Sequence, residues 1–452
     1  MARLTILLFL SASLCACVGY QPAPSAATLI KQAQIPRTID RTAVAAERAR
    51  LGVAPSAQID RLDLVLAGGL QNPAIRARQS ALQVALAAST VAQQSPSPSM
   101  SLLAEYAQHA AESSPWQFGF GLDLPLDYGQ RRASRQDAAN TALLYARCDL
   151  ADASWAMRSG LRRDLGALLA SERRIALLQE LGERRALRHA ALARRADAGE
   201  IARTEVDRVR LEMASDSRLL REAQDTRAGA LQRIAAGLDL SGQSLTLDAS
   251  VWPDYLLPAL SESTDAAAQD VSGHPDLLRA IGAYEQSDSE LRLQIARQYP
   301  DIRIGPGYTW ERGLIKLPLS LGLTLPPLDL NRSAIEVAQH ARDAAAASLE
   351  DTYARLGSNR EQMHTAMQQA RLALGAIRNR ELPAMQRIAQ RATTQFEAGE
   401  IDRAQWAGAQ IEELSMQLTE IDGIQRLRDA ETALENALHR AIEGPETEIA
   451  AP

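Results

Sequence analysis

The chain has 452 residues and a formal net charge of −6, and it is 46% apolar but only 4% aromatic. The apolar share is mostly Ala and Leu, which favour long helices packed side by side over a thick globular core. The acidic balance argues against a nucleic-acid-binding protein, which would normally show a basic face. The only lysines are Lys31 and Lys316; we attribute the excess of Arg to a GC-rich genome and assign it no function.

The first 16 residues have the character of a secretory signal peptide. Arg3 supplies a short positive region, and Leu4 to Leu14 form an apolar stretch too short to span a bilayer. The following "LCAC" resembles a bacterial lipobox, which predicts that Cys17 becomes the lipidated, palmitate-bearing first residue of the mature chain. The alternative is ordinary secretion, with cleavage nearby and Cys17 free.

The remainder reads as a tandem repeat. Pro73 pairs with Pro275 at an offset of 202 residues, and the "AGE" of Gly199 pairs with that of Gly399 at an offset of 200. We therefore divide the chain into a signal peptide (1–16), a lipid-anchored N-terminal segment with a first helix (17–70), repeat 1 (71–240), a connector (241–272), repeat 2 (273–443) and a flexible tail (444–452).

Each repeat predicts the same elements in the same order: a helix, a β-hairpin, a very long helix, a turn and a return helix. The hairpins fall at 99–126 and 301–325. The first long helix runs from about 130 to 196, roughly 100 Å at 1.5 Å per residue. In the second, from about 331 to 397, Pro383 should kink or loosen the helix.

The hairpin strands alternate strictly between apolar and polar residues. One face carries a row of apolar side chains that includes Trp116, Phe118, Phe120, Leu319, Leu321 and Leu323. A soluble, half-buried sheet alternates in the same way. The strand lengths, the charges on the polar face and the aromatic residues near the hairpin ends favour a membrane barrel. Four strands cannot close a barrel, and open edges are not tolerated in lipid. The pattern therefore predicts an oligomer.

The two AGE turns lie where long helices end. Gly199 and Gly399 suit a helix C-terminus that needs a left-handed residue. Asp402 and Gln405 predict a capping pair for the second return helix. Thr204 and Asp207 are the corresponding candidates in the first repeat.

Nothing in the sequence indicates an enzyme. The six histidines are scattered without metal-ligand spacing, and neither a Walker A motif nor a GxGxxG motif opening a helix is present. The sequence therefore predicts no catalytic residues, no cofactor and no metal site.

The chain as a whole resembles a TolC-type outer-membrane efflux protein. The resemblance rests on the lipobox, the paired helix starts "NPAIRA" and "HPDLLRA", the hairpins, the junctions "LPLDYGQRRA" and "LPPLDLNRSA", and the two AGE turns. It implies a mainly α fold with a four-stranded β contribution: a long α-helical coiled-coil barrel and a transmembrane β-barrel completed by homotrimerisation. The implied location is the cell outer membrane, with a lipid anchor and a large periplasmic portion.

The resemblance also implies partners and site residues. The partners are a periplasmic adaptor (membrane fusion) protein, an inner-membrane transporter of the RND or ABC type, and outer-membrane lipid. The turns would dock the adaptor through Gly199, Glu200, Ile201, Gly399, Glu400 and Ile401. Relatives carry aspartates that constrict the tip, but the matching positions here are Gln405 and Gly408, so the aperture candidates are Glu205, Asp402, Gln405 and Trp406.

These features predict a passive duct of a tripartite efflux pump that exports small toxic compounds, either drugs or metal ions. One alternative is a duct for type I secretion of peptides or proteins. Another is a periplasmic coiled-coil scaffold without a channel, in which the strands form a small packed sheet.

Overall fold

The computed structural model describes residues 19–35, 37–54, 58–108, 115–126, 130–240, 247, 249–260, 271–311 and 313–448. The predicted signal peptide and Cys17 lie outside these residues. So do more than half of the predicted connector and the last four residues of the predicted tail.

Ten α-helices lie within the described residues. They are α1 (Ala26–Ala33), α2 (Arg41–Arg50), α3 (Arg61–Gln71), α4 (Pro73–Ala92), α5 (Gln130–Asp197), α6 (Arg203–Gly237), α7 (Pro275–Ala296), α8 (Arg332–Ala376), α9 (Leu382–Glu397) and α10 (Arg403–Leu438). The segment 17–70 thus holds α1, α2 and nearly all of α3. None of the described helices combines the length and the apolar character needed to cross a membrane.

The opening helices of the two repeats, α4 and α7, begin with equivalent caps. Asn72 Oδ1 accepts the N–H of Ala74 at 2.9 Å. In the second repeat His274 Nδ1 accepts the N–H of Asp276 at 3.1 Å. Proline follows each cap, at the first helical position, where its missing N–H costs no hydrogen bond. The paired "NP" and "HP" of the sequence are therefore two versions of one helix start.

The second long helix is interrupted next to Pro383. It runs as α8 to Ala376, forms a π-helical turn at Ile377–Glu381, and continues as α9. Proline lacks an N–H, and its ring clashes with the carbonyl oxygen four residues earlier. A π turn inserts one extra residue and relieves this conflict. The predicted loosening is confirmed, and it takes the form of a π bulge.

Five strands form one antiparallel sheet: β1 (Ser99–Tyr106), β2 (Trp116–Pro125), β3 (Asp301–Glu311), β4 (Leu314–Lys316) and β5 (Leu319–Thr324). The order is β1–β2–β3, with β4 and β5 both paired to β3. The fourth predicted strand is divided because Pro318 cannot donate to the ladder. Both pieces keep one register, with Trp310 opposite Ile315 and Ile304 opposite Leu321, so they serve as a single fourth strand.

The helices continue the order of the strands. In the half of the helical region next to the sheet, neighbouring helices are in contact in the order α4–α5–α7–α8. In the half farther from the sheet the order is α6–α5–α10, and α10 also contacts α8 and α9. One edge of the protomer is therefore formed by β1, α4 and α6. The other edge is formed by β4 with β5, α8 and α9.

The main core lies at mid-length along α5, where Leu161, Leu165 and Leu168 are buried. The predicted connector contributes to the same core, because Trp252 and Tyr255 are buried there. Residues 444–448, the described part of the predicted tail, are packed against the body of the chain. They include a short 3-10 helix, Pro445–Glu448, which buries Glu446.

Candidate functional site

The two AGE turns end their helices in the same way. Gly199 and Gly399 have φ angles of +78° and +76°, the left-handed region that favours glycine. In each turn the glycine N–H donates to the carbonyl oxygen three residues earlier. The N–H of Glu200 or Glu400 donates to the carbonyl oxygen five residues earlier, at 2.9 and 2.8 Å. These bonds define a Schellman motif, as expected for a glycine after the last helical turn.

The two turns lie side by side and share an ion pair. Arg195, in the last turn of α5, places its Nε 3.1 Å from Glu200 Oε2 and its Nη1 2.7 Å from Asp402 Oδ2. Glycine and glutamate in both turns are exposed, whereas Ile201 and Ile401 are half-buried. The repeated motif thus forms one paired tip, about 100 Å from the sheet along the 68 residues of α5.

The return helices begin differently. Asp402 and Gln405 form the predicted capping box: Asp402 Oδ1 accepts the N–H of Gln405 at 2.8 Å, and Gln405 Oε1 accepts the N–H of Asp402 at 3.3 Å. The corresponding prediction for Thr204 and Asp207 was wrong. Residue 202 is the N-cap of α6, and as Ala202 it has no side chain that can accept a hydrogen bond.

The aperture candidates differ in whether their side chains are already engaged in contacts within the protomer. Asp402 and Gln405 are engaged in the capping box, and Asp402 also pairs with Arg195. Trp406 stacks on Phe396 at 5.2 Å and donates from Nε1 to Thr393 Oγ1 at 3.2 Å, which fixes it between α9 and α10. Glu205 is exposed and forms no ion pair with a described residue.

The sheet has an apolar face that the described part of the protomer leaves exposed. Phe118 and Phe120 are 47% and 44% exposed, and Leu319 on the outer strand is 76% exposed. Trp116, Leu321 and Leu323 share this face and are also exposed. The aromatic rings stack across the strands, with Phe118 against Trp310 at 6.3 Å and Phe120 against Tyr308 at 5.9 Å. The face is a continuous apolar wall.

The opposite face of the sheet is polar and closely packed. Arg303 pairs with Asp123 at 2.8 Å, and Lys316 pairs with Glu311. A side chain at Gly119 would come within 2.8 Å of the carbonyl oxygen of Tyr308. Glycine in a strand allows such a close approach of backbones and is typical of a wall that curves toward that face. The geometry is that of a section of a barrel with a polar interior.

Sequence reasoning missed a buried ionic network at mid-length along α5. It comprises four arginines and four glutamates from α3, α5, α10 and the C-terminal segment: Arg61, Arg158, Arg162, Arg428, Glu431, Glu435, Glu443 and Glu446. Arg158 binds both oxygens of Glu435, at 2.9 and 3.2 Å. The guanidinium groups of Arg61 and Arg162 lie over the ring of Trp252, at 4.3 and 4.9 Å from its centre.

The network fastens together segments that are far apart in the sequence. Burial, together with nearby Glu443, raises the pKa of Glu431. Burial also opposes ionisation of Glu443, but Arg162 and Arg428 outweigh it and hold the pKa of Glu443 below its usual value. These four arginines therefore have a structural role, although we assigned the excess of Arg in the sequence no function. They join the connector and the C-terminal segment to α5 and α10.

Two histidines pack against each other next to this network. The rings of His274 and His439 are 5.5 Å apart, and His439 Nε2 lies 3.2 Å from Asp152 Oδ1. Burial lowers the pKa of both histidines, and the Asp152 carboxylate only partly offsets it at His439. Neither this pair nor any other group of described residues has the ligands to hold a metal ion.

Comparison with known proteins gives a family match over part of the chain and a fold match over nearly all of it. The outer membrane efflux protein family matches residues 269–439. The outer-membrane channel OprN superimposes with a TM-score of 0.68 and 18% identity, over 93% of this chain and 98% of its own. VceC of Vibrio cholerae superimposes with a TM-score of 0.65 and 14% identity, over 90% of this chain and 100% of its own. The open state of the MtrE channel of Neisseria gonorrhoeae superimposes with a TM-score of 0.60 and 15% identity, over 95% of this chain and 100% of its own. By sequence, no curated protein matched the chain.

These findings confirm the resemblance to TolC-type outer-membrane efflux proteins and the predicted fold class. The structural likeness shows the fold over nearly the whole chain, and the family match covers most of the second repeat. The matched family consists of channels and not of enzymes, in agreement with the prediction that the chain is not an enzyme.

Proposed function

We propose that this chain forms the outer-membrane duct of a tripartite efflux pump. The match of its second repeat to the outer membrane efflux protein family and the fold of nearly its whole length support this proposal. Three copies enclose a passive channel. A periplasmic adaptor connects it to an inner-membrane transporter of the RND or ABC type. The cargo consists of small toxic compounds, drugs or metal ions, which the transporter delivers.

The sheet supports closure by several copies. The outer edges of β1 and of β4 with β5 have no partner strand among the described residues. Unpaired backbone groups are very costly in lipid, so strands that cross a membrane must form a closed barrel. Three copies of this four-row sheet give twelve strands. The face with Phe118, Phe120 and Leu321 then contacts lipid, and the face with Arg303 and Asp123 lines the bore.

The helices support the same closure. Because strands and helices follow one order across the protomer, a ring that joins β1 to the fourth strand also joins α4 to α8 and α6 to α9 of the next copy. These helical edges carry exposed apolar side chains, among them Val84 and Val91 on α4 and Val337 on α8. Burying these apolar side chains between copies would stabilise the association of the edges.

The proposed docking function rests on the paired tip. Two turns of the same backbone conformation lie side by side, far from the sheet, with their glycines and glutamates exposed, and Arg195 joins them. Such a tip presents a repeated shape to a partner in the periplasm. We assign adaptor docking to Gly199, Glu200, Ile201, Gly399, Glu400 and Ile401. We assign the periplasmic aperture to Glu205, Asp402, Gln405 and Trp406.

The N-terminal segment completes the proposal. Lipidation at Cys17 would anchor the chain to the outer membrane in addition to its barrel. The two repeats, 71–240 and 273–443, would be the product of an internal duplication, with 241–272 as the connector that also packs into the core.

The experiment replaces both turn glycines together. Gly199→Val with Gly399→Val forces a β-branched residue into the left-handed region, which should distort both turns and abolish export. Gly199→Asn with Gly399→Asn is the matched control, because asparagine tolerates that region and should preserve export. Export is measured as retention of a fluorescent pump substrate in cells that carry the cognate adaptor and transporter and lack other outer-membrane ducts.

Two results would decide against the proposal. Normal export by the valine variant, with assembled protein in the outer membrane, would refute the docking role of the turns. If the unmodified protein were released from washed membranes as a soluble monomer, the channel itself would be excluded and the scaffold alternative favoured.

A further inference from the structure

Two histidines close a junction where three distant parts of the chain meet. His274 is the N-cap of α7, and His439 is the C-cap of α10. Their rings are 5.5 Å apart. The ring of His439 also stacks on Trp155 of α5, with 4.8 Å between the ring centres. The pair therefore joins the start of α7 and the end of α10 to α5.

His274 can cap α7 only while its Nδ1 carries no proton. Nδ1 accepts the backbone N–H of Asp276 at 3.1 Å. A protonated imidazole donates from both ring nitrogens, so it has no lone pair left for that bond. The first repeat provides a natural comparison, because the equivalent cap of α4 is Asn72, which does not titrate. Of these two equivalent helix starts, only that of the second repeat depends on a protonation state.

His439 is better placed than His274 to take up a proton. Its Nε2 lies 3.2 Å from Asp152 Oδ1, and a carboxylate at this distance stabilises an imidazolium. The face of the Trp155 ring is a second favourable neighbour for a cation. Burial lowers the pKa of both histidines, so the junction takes up protons only below the ordinary value of about 6.5.

The surroundings of the pair favour one added proton over two. The charged groups that face the pair are Asp152 and Arg158 on α5, Asp276 and Arg279 on α7, and Arg355 on α8. Asp152 is already shared, because Arg279 donates to its Oδ2 at 2.5 Å. A second proton would place two positive rings 5.5 Å apart, and like charges at this distance disfavour each other.

We propose that His274 and His439 form a proton-sensitive clasp. At neutral pH both rings are uncharged, and the clasp is closed. As the pH falls, His439 takes up the first proton and holds it against Asp152, which leaves the clasp closed. The second proton binds Nδ1 of His274, displaces the N–H of Asp276 and opens the start of α7.

Opening the clasp should also loosen the segment that follows α10, because His439 is the residue from which that segment starts. Farther along it, the N–H of Ile442 donates to Glu435 at 2.9 Å, and Glu446 pairs with Arg61 at 2.7 Å. These contacts hold the segment in the buried ionic network. The clasp thus links the pH around the helices to the packing of the C-terminal segment.

The test is hydrogen–deuterium exchange of the full-length protein at about pH 7.5 and about pH 5, one to two units on either side of the ordinary histidine pKa. Exchange is measured by mass spectrometry and corrected for the intrinsic effect of pH. The amides of residues 276–278 should lose protection about tenfold at the lower pH, as expected for the loss of one capping bond. The equivalent amides of α4, residues 74–76, should keep theirs. His274→Asn gives α7 the cap of α4 and should abolish the loss.

Two further variants separate the clasp from a general effect of acid. His439→Asn removes the second imidazole and keeps a residue that tolerates the left-handed backbone of this position. Protection at the start of α7 should then be lost about one pH unit nearer to neutral, because no positive ring opposes protonation of His274. His340→Asn, at an exposed histidine of α8, is the matched control and should leave the transition unchanged.

Three results would overturn the clasp. The first is unchanged protection of residues 276–278 between the two pH values. The second is an equal loss of protection in His274→Asn or at the start of α4, which would indicate general unfolding in acid. The third is a transition at the same pH in His439→Asn, which would show that the two rings titrate independently.

Discussion

The buried ionic network makes a sharp stability prediction at Glu435. Its side chain is fully buried and accepts two hydrogen bonds from Arg158, at 2.9 and 3.2 Å. It also accepts the N–H of Ile442 at 2.9 Å. Glu435→Gln keeps the size of the side chain but removes its charge, which leaves Arg158 without a carboxylate partner among the described residues.

The structure indicates how large the effect should be. Removing one partner of a buried ion pair costs about 3–5 kcal/mol, because the remaining charge stays away from water. A surface pair costs far less. Glu222 lies 3.6 Å from Arg218, both side chains are about two-thirds exposed, and Glu222→Gln should cost no more than about 0.5 kcal/mol. Adding Arg158→Met to Glu435→Gln should recover part of the loss, because it removes the stranded charge.

The assay is urea unfolding of the purified protein in detergent, followed by the helical circular dichroism signal. Protein concentrations must be matched, since association stabilises the folded chain. The Glu435 variant should unfold at a clearly lower urea concentration than the Glu222 variant. Equal midpoints for the two variants would refute it. So would a double variant at position 158 and 435 that is less stable than Glu435→Gln alone.

Three further predictions follow from other parts of the molecule. Burial lowers the pKa of His274, so the unfolded chain takes up its proton first as the pH falls. Stability should therefore be complete above about pH 6.5 and fall below it, and His274→Asn, which keeps a capping side chain, should flatten the dependence of the unfolding temperature on pH. Phe120→Lys, on the apolar face of the sheet, should cost about 2–4 kcal/mol and reduce the amount of assembled protein in the outer membrane, whereas Ser101→Lys on the polar face should not. Ala202→Asp should give α6 the capping box it lacks, with Glu205 as its second member, and stabilise the first turn of that helix by about 1 kcal/mol, measured by slower amide hydrogen exchange there.

Periodic features were predictable from the sequence because they depend on residues that are close together in the chain. The long helices, the alternating strands and the left-handed glycines each follow from residues within a few positions of one another. The effect of Pro383 was predictable for the same reason, although its form as a π bulge was not. The division of the fourth strand at Pro318 likewise follows from one missing N–H.

Contacts between distant segments were not predictable. Arg158 and Arg162 are spaced like residues on a solvated helix face, and their partners lie about 270 residues away. No local pattern separates a buried arginine of this kind from an exposed one. The polar composition of the connector similarly hid Trp252, which the arginines surround.

The candidate site contains both features that the local sequence predicts and contacts between distant residues that it does not. The capping box at Asp402 was predicted because its two members are three residues apart. The parallel prediction at Thr204 and Asp207 failed because the helix begins two residues earlier, with Ala202 as its N-cap. The ion pair between the two turns, from Arg195 to Asp402, joins residues 207 positions apart and became visible only in the structure.

The most direct test of the channel is electron cryomicroscopy of the full-length protein in lipid nanodiscs. The account predicts a three-fold particle whose twelve-stranded barrel spans the bilayer, with a continuous bore and with Gly199 and Gly399 of all three copies around the opposite opening. A monomer, or a particle whose sheet lies outside the bilayer with Phe118 and Phe120 packed against protein, would contradict it.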